Sequence, residues 1–261
     1  MRVALVSLNQ VWENKGENLQ ACRSFIQRAK AQGVGLVIFP EMTLTAFSMN
    51  TGDTAEERAT SVTVELFKEI AQEFQMAIVF GVVFREGDKA TNNALMVDGA
   101  GNIKGSYSKI HPFTFAGEDK VFNGGNEICI VKLEPMAIGL TICYDLRFPE
   151  VYSALGKQCD LIINIANWPA RRVDHWNALL KSRAIENQLF IVGVNRTGTD
   201  GKGLEYMKSS QVINPNGEQL TQVYSEEQLD IYDIDPLYTS QFRQSFSTTH
   251  DRKPALYKSI L

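Results

Sequence analysis

Short, wholly apolar runs alternate along this chain with stretches whose apolar residues recur every three or four positions. Residues 3–10 (VALVSLNQ) predict a strand, and between Glu17 and Gly33 the side chains of Leu19, Cys22, Phe25, Ile26 and Ala29 fall at helical spacing, with Gly33 as the stop. LVIFPE at 36–41 is a continuous apolar run with proline near its end, the pattern of a strand covered on both faces. Residues 55–74 predict a second helix, with Val62, Leu66, Phe67, Ile70 and Phe74 as its buried stripe.

The pattern then shifts to paired strands. MAIVFGVVF at 76–84 precedes two apolar runs separated by Asp98-Gly99-Ala100-Gly101-Asn102, which predicts a hairpin. EICIVKL and AIGLTIC flank Glu134-Pro135 and predict another, followed by a helix from Arg147 to about Gly156. LIINIANW at 161–168 reads as a buried strand, 176–188 as an amphipathic helix and FIVGVNR at 190–196 as a strand. Asn214-Pro215-Asn216-Gly217 is expected to turn between two final strands. Buried strands alternating with helices, together with hairpins, imply a layered α/β architecture rather than one all-parallel sheet. No repeat or linker-like run interrupts the 261 residues, so they read as one domain with a C-terminal tail from about residue 236.

Composition narrows the function classes. The chain is 44% hydrophobic and carries 26 Lys and Arg against 30 Asp and Glu, a formal charge of −4 that supplies no basic face for nucleic acid. No apolar run approaches the roughly 18 to 20 residues of a membrane span. The N-terminal run is too short for a signal peptide, so a cytoplasmic location is expected. The four cysteines, at 22, 129, 143 and 159, show no Cys-x-x-Cys spacing, and no two of the three histidines sit at metal-ligand spacing. Neither a disulfide framework nor a zinc site is expected, and the partner is expected to be a small molecule.

Three reactive side chains stand where a buried strand stops, a common place for functional groups in α/β proteins. Glu41 ends LVIFPE, where partial desolvation would suit a general base; it could equally be a solvated strand-end charge. Lys109 closes SYSK, where an ammonium can steady an oxyanion, or can simply be an exposed strand lysine. Cys143 ends AIGLTIC at a strand-to-helix turn whose N–H groups would lower its pKa, against the alternative of a small buried hydrophobe. Cys22, Cys129 and Cys159 fit packing better. His111 is the histidine nearest one of these strand ends and competes with Glu41 as a base for the thiol.

FPEMTLTAFS around Glu41, YSKIHPF around Lys109 and GLTICYDLRFPE around Cys143 together resemble the nitrilase superfamily of carbon–nitrogen hydrolases. GEDKVFNGG at 117–125, NWPARRVDHW at 167–176, SRAIENQLFIVGVNRTG at 182–198 and INPNGEQL at 213–220 follow in the same order. The resemblance implies a four-layer αββα sandwich, with Glu41 as general base, Lys109 as electrostatic stabiliser and Cys143 as nucleophile. It also implies an oxyanion donor in the backbone N–H of Tyr144, a second glutamate, Glu118, bracing the lysine, and hydrolysis through a cysteine thioester without cofactor. Phe47, Phe113, Asn167 and Trp168 are candidates for the pocket wall.

Within the superfamily the chain looks most like the ω-amidase branch, which hydrolyses the terminal amide of 2-oxoglutaramate and 2-oxosuccinamate. A substrate of that kind needs a cation for its carboxylate, and Arg147, Arg171 and Arg172 are candidates; Arg147 could instead pair with Asp145 or Glu150. The family often has Gly where Ala46 stands. The resemblance further implies a homodimer through the helices after Cys143 and near 174–188, with Trp176, Leu179, Leu180 and Ala184 as an apolar face, though a monomer core would use the same stripe. Two other readings remain: another amidohydrolase of the superfamily, acting on N-carbamoyl compounds, deaminated glutathione or short aliphatic amides, or a non-catalytic interaction scaffold.

Overall fold

The computed structural model describes residues 1–260. β1 (Arg2–Val6) leads through α1 (Lys15–Ala31) to β2 (Leu36–Ile38), and a short α2 (Thr51–Thr54) precedes α3 (Val62–Phe74). Next come β3 (Ala77–Glu86), β4 (Lys89–Val97) and β5 (Ile103–Ser108), a short α4 (Glu118–Val121), and the hairpin of β6 (Cys129–Leu133) and β7 (Met136–Ile142). A 3-10 turn over Cys143–Arg147 runs into α5 (Pro149–Leu155), followed by β8 (Leu161–Ala166), α6 (Val173–Asn187) and β9 (Phe190–Asn195). The later strands are β10 (Gly198–Thr199), β11 (Glu205–Tyr206), β12 (Gln211–Ile213), β13 (Tyr224–Ser225) and β14 (Leu229–Asp233). Helices α7 (Tyr238–Ser245) and α8 (Pro254–Ile260) close the described chain.

The strands form two main sheets, ordered β13-β14-β1-β2-β3-β4-β5 and β12-β9-β8-β7-β6, each with a parallel centre and antiparallel flanks. Side chains alternate across a strand, so each sheet has two apolar faces to cover. In β1, Ala4 and Val6 pack with Phe25 and Ile26 of α1 and Phe67 and Ile70 of α3. Val3 and Leu5 face the other way, into a core shared with Ile138, Leu140 and Ile163 of the second sheet. In β8, Ile162 and Ala166 meet Tyr152 and Leu155 of α5 and Trp176 and Leu180 of α6. Three apolar layers between four structural layers make the αββα sandwich, and they explain why the strands read as unbroken apolar runs.

Several expectations need correction. The second helix begins at Val62, not near residue 55, because the Ser61 hydroxyl caps it by accepting from Val64 N–H. Val62 is therefore 65% exposed, and the buried stripe is Thr63, Val64, Phe67, Ile70 and Ala71. The turn at 214–217 does not join two full strands. Beyond it the return is limited to the Gln219–Ile213 bridge and the Leu220 N–H bond to Val212 O, and the chain then crosses to the first sheet at β13. Of the two uses open to the α6 stripe, the chain's own core takes most of it: Trp176, Leu180 and Ala184 are fully buried on the inner face of α6, and Leu179 is half-buried beside them. The tail packs on its own subunit, with Arg243 donating to the carbonyls of Gly156 and Asn187, and Gln188 Nε2 to that of Phe246.

Candidate active site

The loop after β2 carries Glu41 across the end of the first sheet. It is tied to β3 by Phe39 N–H to Val79 O and Thr43 N–H to Gly81 O, and to Gln10, whose Nε2 reaches the carbonyls of Glu41, Met42 and Thr43. A Cβ at Gly81 would lie 2.2 Å from Met42 N, so this approach requires glycine there. Lys109 follows β5, with its N–H on Asn92 O and its carbonyl on Gly125 N–H. Gly125 is also constrained, since a Cβ would stand 2.3 Å from Ser108 O.

These loops bring three charges together out of contact with water: Glu41, Lys109 and Glu118 are each at most 1% exposed. Lys109 Nζ donates to Glu41 Oε1 at 2.9 Å and to Glu118 Oε1 and Oε2 at 3.1 and 2.8 Å. Asn92 Nδ2 donates to Glu41 Oε1 at 2.7 Å and to Glu118 Oε1 at 3.1 Å. Burial alone would lower the pKa of Lys109, but Glu118 and Glu41 more than reverse it and hold the ammonium charged. Glu118 Oε2 also accepts from Phe113 N–H at 2.6 Å, which fixes the loop beyond Lys109.

Cys143 opens the 3-10 turn with φ of 44°, a left-handed conformation that costs a non-glycine residue about 1–2 kcal/mol. The turn is held by Asp145, whose carboxylate accepts from Ile142 N–H, His111 N–H and the Tyr107 hydroxyl. Asp145 thereby couples the cysteine turn to the loop that carries Lys109. His111 Nδ1 lies 2.8 Å from Asp145 Oδ1 and its ring stacks on Phe148, so this imidazole braces the turn. The expected lowering of the thiol pKa is overturned. Burial, reinforced by Glu41, pushes Cys143 well above its ordinary value although Lys109 pulls the other way. A resting thiol of this kind is protonated and needs a base. Glu41 is built into the same wall: its Oε2 accepts from Asn167 N–H at 2.9 Å and its carbonyl from Asn167 Nδ2 at 2.7 Å, while Cys143 Sγ faces Asn167 O at 4.0 Å.

Above the thiol lies a cavity of about 240 Å³, below the usual range for drug-sized ligands and suited to a small molecule. Phe47, Phe113, Arg147, Asn167 and Trp168 all line it, as does Tyr144. Phe47 also presents its ring 5.3 Å from Lys109 Nζ. Arg147 does not pair with Asp145 or Glu150: its guanidinium lies 4.8 Å from the Trp168 ring centre, and Nη2 is 3.3 Å from His175 Nδ1. Arg171 and Arg172 line the same cavity. Among the described residues, none of Arg147, Arg171, Arg172 and Lys202 forms an ion pair with a carboxylate. Burial, then Arg171 and Arg147, lower the Arg172 pKa, the mark of unneutralised cations held close together.

Sequence reasoning missed Asn92, which in NNALMV reads as the polar face of a strand, and the bracing role of Asp145. It also missed the β10–β11 hairpin, which brings Asp200, Lys202, Leu204 and Tyr206 to the cavity. The Gly-rich stretch GTDGKGLEY has the composition of any surface loop. Ala46, where glycine was the expected residue, sits at φ of 58° and is fully buried beside Phe47, so its methyl is accommodated in a left-handed turn.

Residues 2–244 match the carbon–nitrogen hydrolase family. The protein called omega-amidase YafV in Escherichia coli is 36% identical over 219 residues, covering 84% of this chain and 83% of its own length. A 2-oxoglutaramate amidase from Bacillus subtilis is 30% identical over 244 residues, with 92% and 93% covered. Among solved structures, a CN-hydrolase superfamily protein from Xanthomonas campestris superposes with a TM-score of 0.89 at 30% identity over 97% of both chains.

Proposed function

The chain belongs to the carbon–nitrogen hydrolase family, and from that membership we propose that it is an ω-amidase, releasing ammonia from the terminal amide of a 2-oxo dicarboxylate monoamide such as 2-oxoglutaramate. One observation carries the reading beyond the family: the half-buried Cys143 thiol opens onto a small cavity, with the buried Glu41 and Lys109 behind its wall, and that wall holds three arginines without carboxylate partners. The thiol, carboxylate and lysine suit amide hydrolysis, and the arginines suit a substrate that brings its own carboxylate.

In this mechanism Glu41 takes the Cys143 proton as the sulfur attacks the amide carbon. The carbonyl oxygen becomes an oxyanion between Lys109 Nζ and the backbone N–H of Tyr144, where loss of one such donor costs about 10²- to 10³-fold in rate. Glu41 returns the proton to the amide nitrogen, the C–N bond breaks and ammonia leaves a thioester. Water gives a proton to Glu41 and attacks the thioester carbon; the acid departs and the sulfur recovers the proton. Glu118 and Asn167 hold Lys109 and Glu41 in place, and Phe47, Phe113 and Trp168 wall the acyl site. We read residues 1–261 as one carbon–nitrogen hydrolase domain. The protein is read as cytoplasmic, in keeping with its four free thiols, and as a homodimer whose interface does not use the stripe beneath α6.

The test is ammonia release from 2-oxoglutaramate, glutamine, a carbamoyl amino acid, a simple aliphatic amide and a nitrile, comparing the native chain with Cys143→Ala. Selective turnover of the 2-oxo amide, reduced at least about 10⁴-fold in the variant, is expected. Preference for another of these substrates would move the protein to a different branch of the family, and silence on all five would favour the scaffold reading.

A further inference from the structure

We infer that Asn92 is a positioning residue that decides which oxygen of Glu41 acts as the base. The two nitrogens that meet Glu41 Oε1, Asn92 Nδ2 and Lys109 Nζ, meet again on Glu118 Oε1, closing a ring of alternating donors and acceptors with edges of 2.7, 2.9, 3.1 and 3.1 Å. A carboxylate oxygen offers about two lone-pair directions, and both of those on Glu41 Oε1 are occupied. Oε2 accepts only Asn167 N–H, at 2.9 Å, and keeps a direction free for a proton.

The orientation of the amide follows from charge. Turned over, Asn92 Oδ1 would oppose two anionic oxygens; as placed, Oδ1 is buried without a hydrogen-bond partner, a cost accepted to put the donor between the carboxylates. The Asn92 carbonyl also accepts from Lys109 N–H at 2.8 Å, so one residue fixes the lysine backbone and donates to both carboxylates that hold its ammonium. A neutral donor balances two carboxylates against one lysine without adding a second cation that would compete for the proton.

The inference rests on Glu41 being the base, so it is tested without any substrate. Cys143 is alkylated by iodoacetamide, sulfur displacing iodide, and the labelling rate is followed against pH in the native chain, Asn92→Ala and the isosteric Asn92→Asp, each checked for folding by circular dichroism. In Asn92→Ala labelling at neutral pH is expected to be about tenfold slower and its pH profile displaced, because Oε1 is no longer fully occupied and Oε2 is no longer the oxygen held free for the thiol proton. Asn92→Asp, which adds a third carboxylate, is expected to displace the profile further. A folded Ala or Asp variant whose profile overlies the native one would overturn the inference. Failure on every amide substrate would count against the proposed activity while leaving this readout intact.

Discussion

The floor and the mouth of the cavity are built on opposite plans. Behind the floor formed by Cys143 and Asn167, Glu41, Lys109, Glu118 and Asn92 are buried and joined by hydrogen bonds, and each sits at or beyond a strand of the first sheet. At the mouth, Arg147, Arg171, Arg172 and Lys202 lie on turns and a two-stranded hairpin, packed on aromatic rings where they pack at all, and none meets a carboxylate. Charges removed from water persist only when paired, so the floor is closed on itself and preorganised. Cations left unpaired near water remain available to a ligand. On the proposed mechanism the two regions divide the work, with bond-breaking below and selection above.

Removing the shared cation tests this division most severely. Lys109→Ala leaves two carboxylates facing each other out of water, and breaking a buried pair in this way typically costs about 3–5 kcal/mol. Urea unfolding is expected to show a loss of that size, together with a fall in kcat of at least about 10²-fold. A Lys109→Ala protein as stable as the native chain would mean that the floor tolerates an uncompensated charge, and the contrast with the mouth would collapse.

The same contrast explains what could be read from the chain in advance. Glu41 and Cys143 were legible because each ends an apolar run produced by the two-sided burial of the sheets, whereas Lys109 ends the polar, largely exposed β5 and was legible through the family-like string YSKIHPF. Asn92 was not legible, since its role depends on β4 lying between the two carboxylate loops, a relation that no local pattern encodes. The mouth was legible only in part: Phe47, Phe113, Arg147, Asn167 and Trp168 adjoin the strand-end motifs, whereas Tyr206 and Lys202 arrive on a hairpin of two-residue strands. The limits of the second helix and of the final turn failed for the same reason. A capping serine moved the helix start, and the crossing to β13 depends on tertiary placement.

At the mouth the expected effect is smaller and of another kind. Arg147→Ala should raise KM for 2-oxoglutaramate by roughly 10- to 100-fold, the usual scale for losing a charge-assisted contact, while kcat changes by less than about threefold. KM for a neutral aliphatic amide should be almost unchanged, and stability should shift by less than about 1 kcal/mol because no buried partner is orphaned. Steady-state kinetics on the two substrates separate this outcome from general damage. Equal losses on both would place Arg147 among the groups that hold the turn after Cys143 rather than among those that choose the substrate.

The smallest effect is expected at Ala46, where floor and mouth meet. Its backbone lies in the left-handed region, with φ of 58°, and turns the chain from the Glu41 loop toward Phe47. The hydrogen bonds of the turn, Ala46 N–H to Met42 O and Ser48 N–H to Ala46 O, do not involve the methyl. Ala46→Gly relieves the left-handed strain of about 1–2 kcal/mol, but it loses a buried methyl and loosens the unfolded chain, offsets that together approach the same size. Thermal melting should therefore register a change within about 1 kcal/mol, and kinetics on both substrates should be unaltered. A change of KM on 2-oxoglutaramate alone would show instead that the methyl sets the position of Phe47, and that the boundary between floor and mouth lies one residue nearer to Glu41.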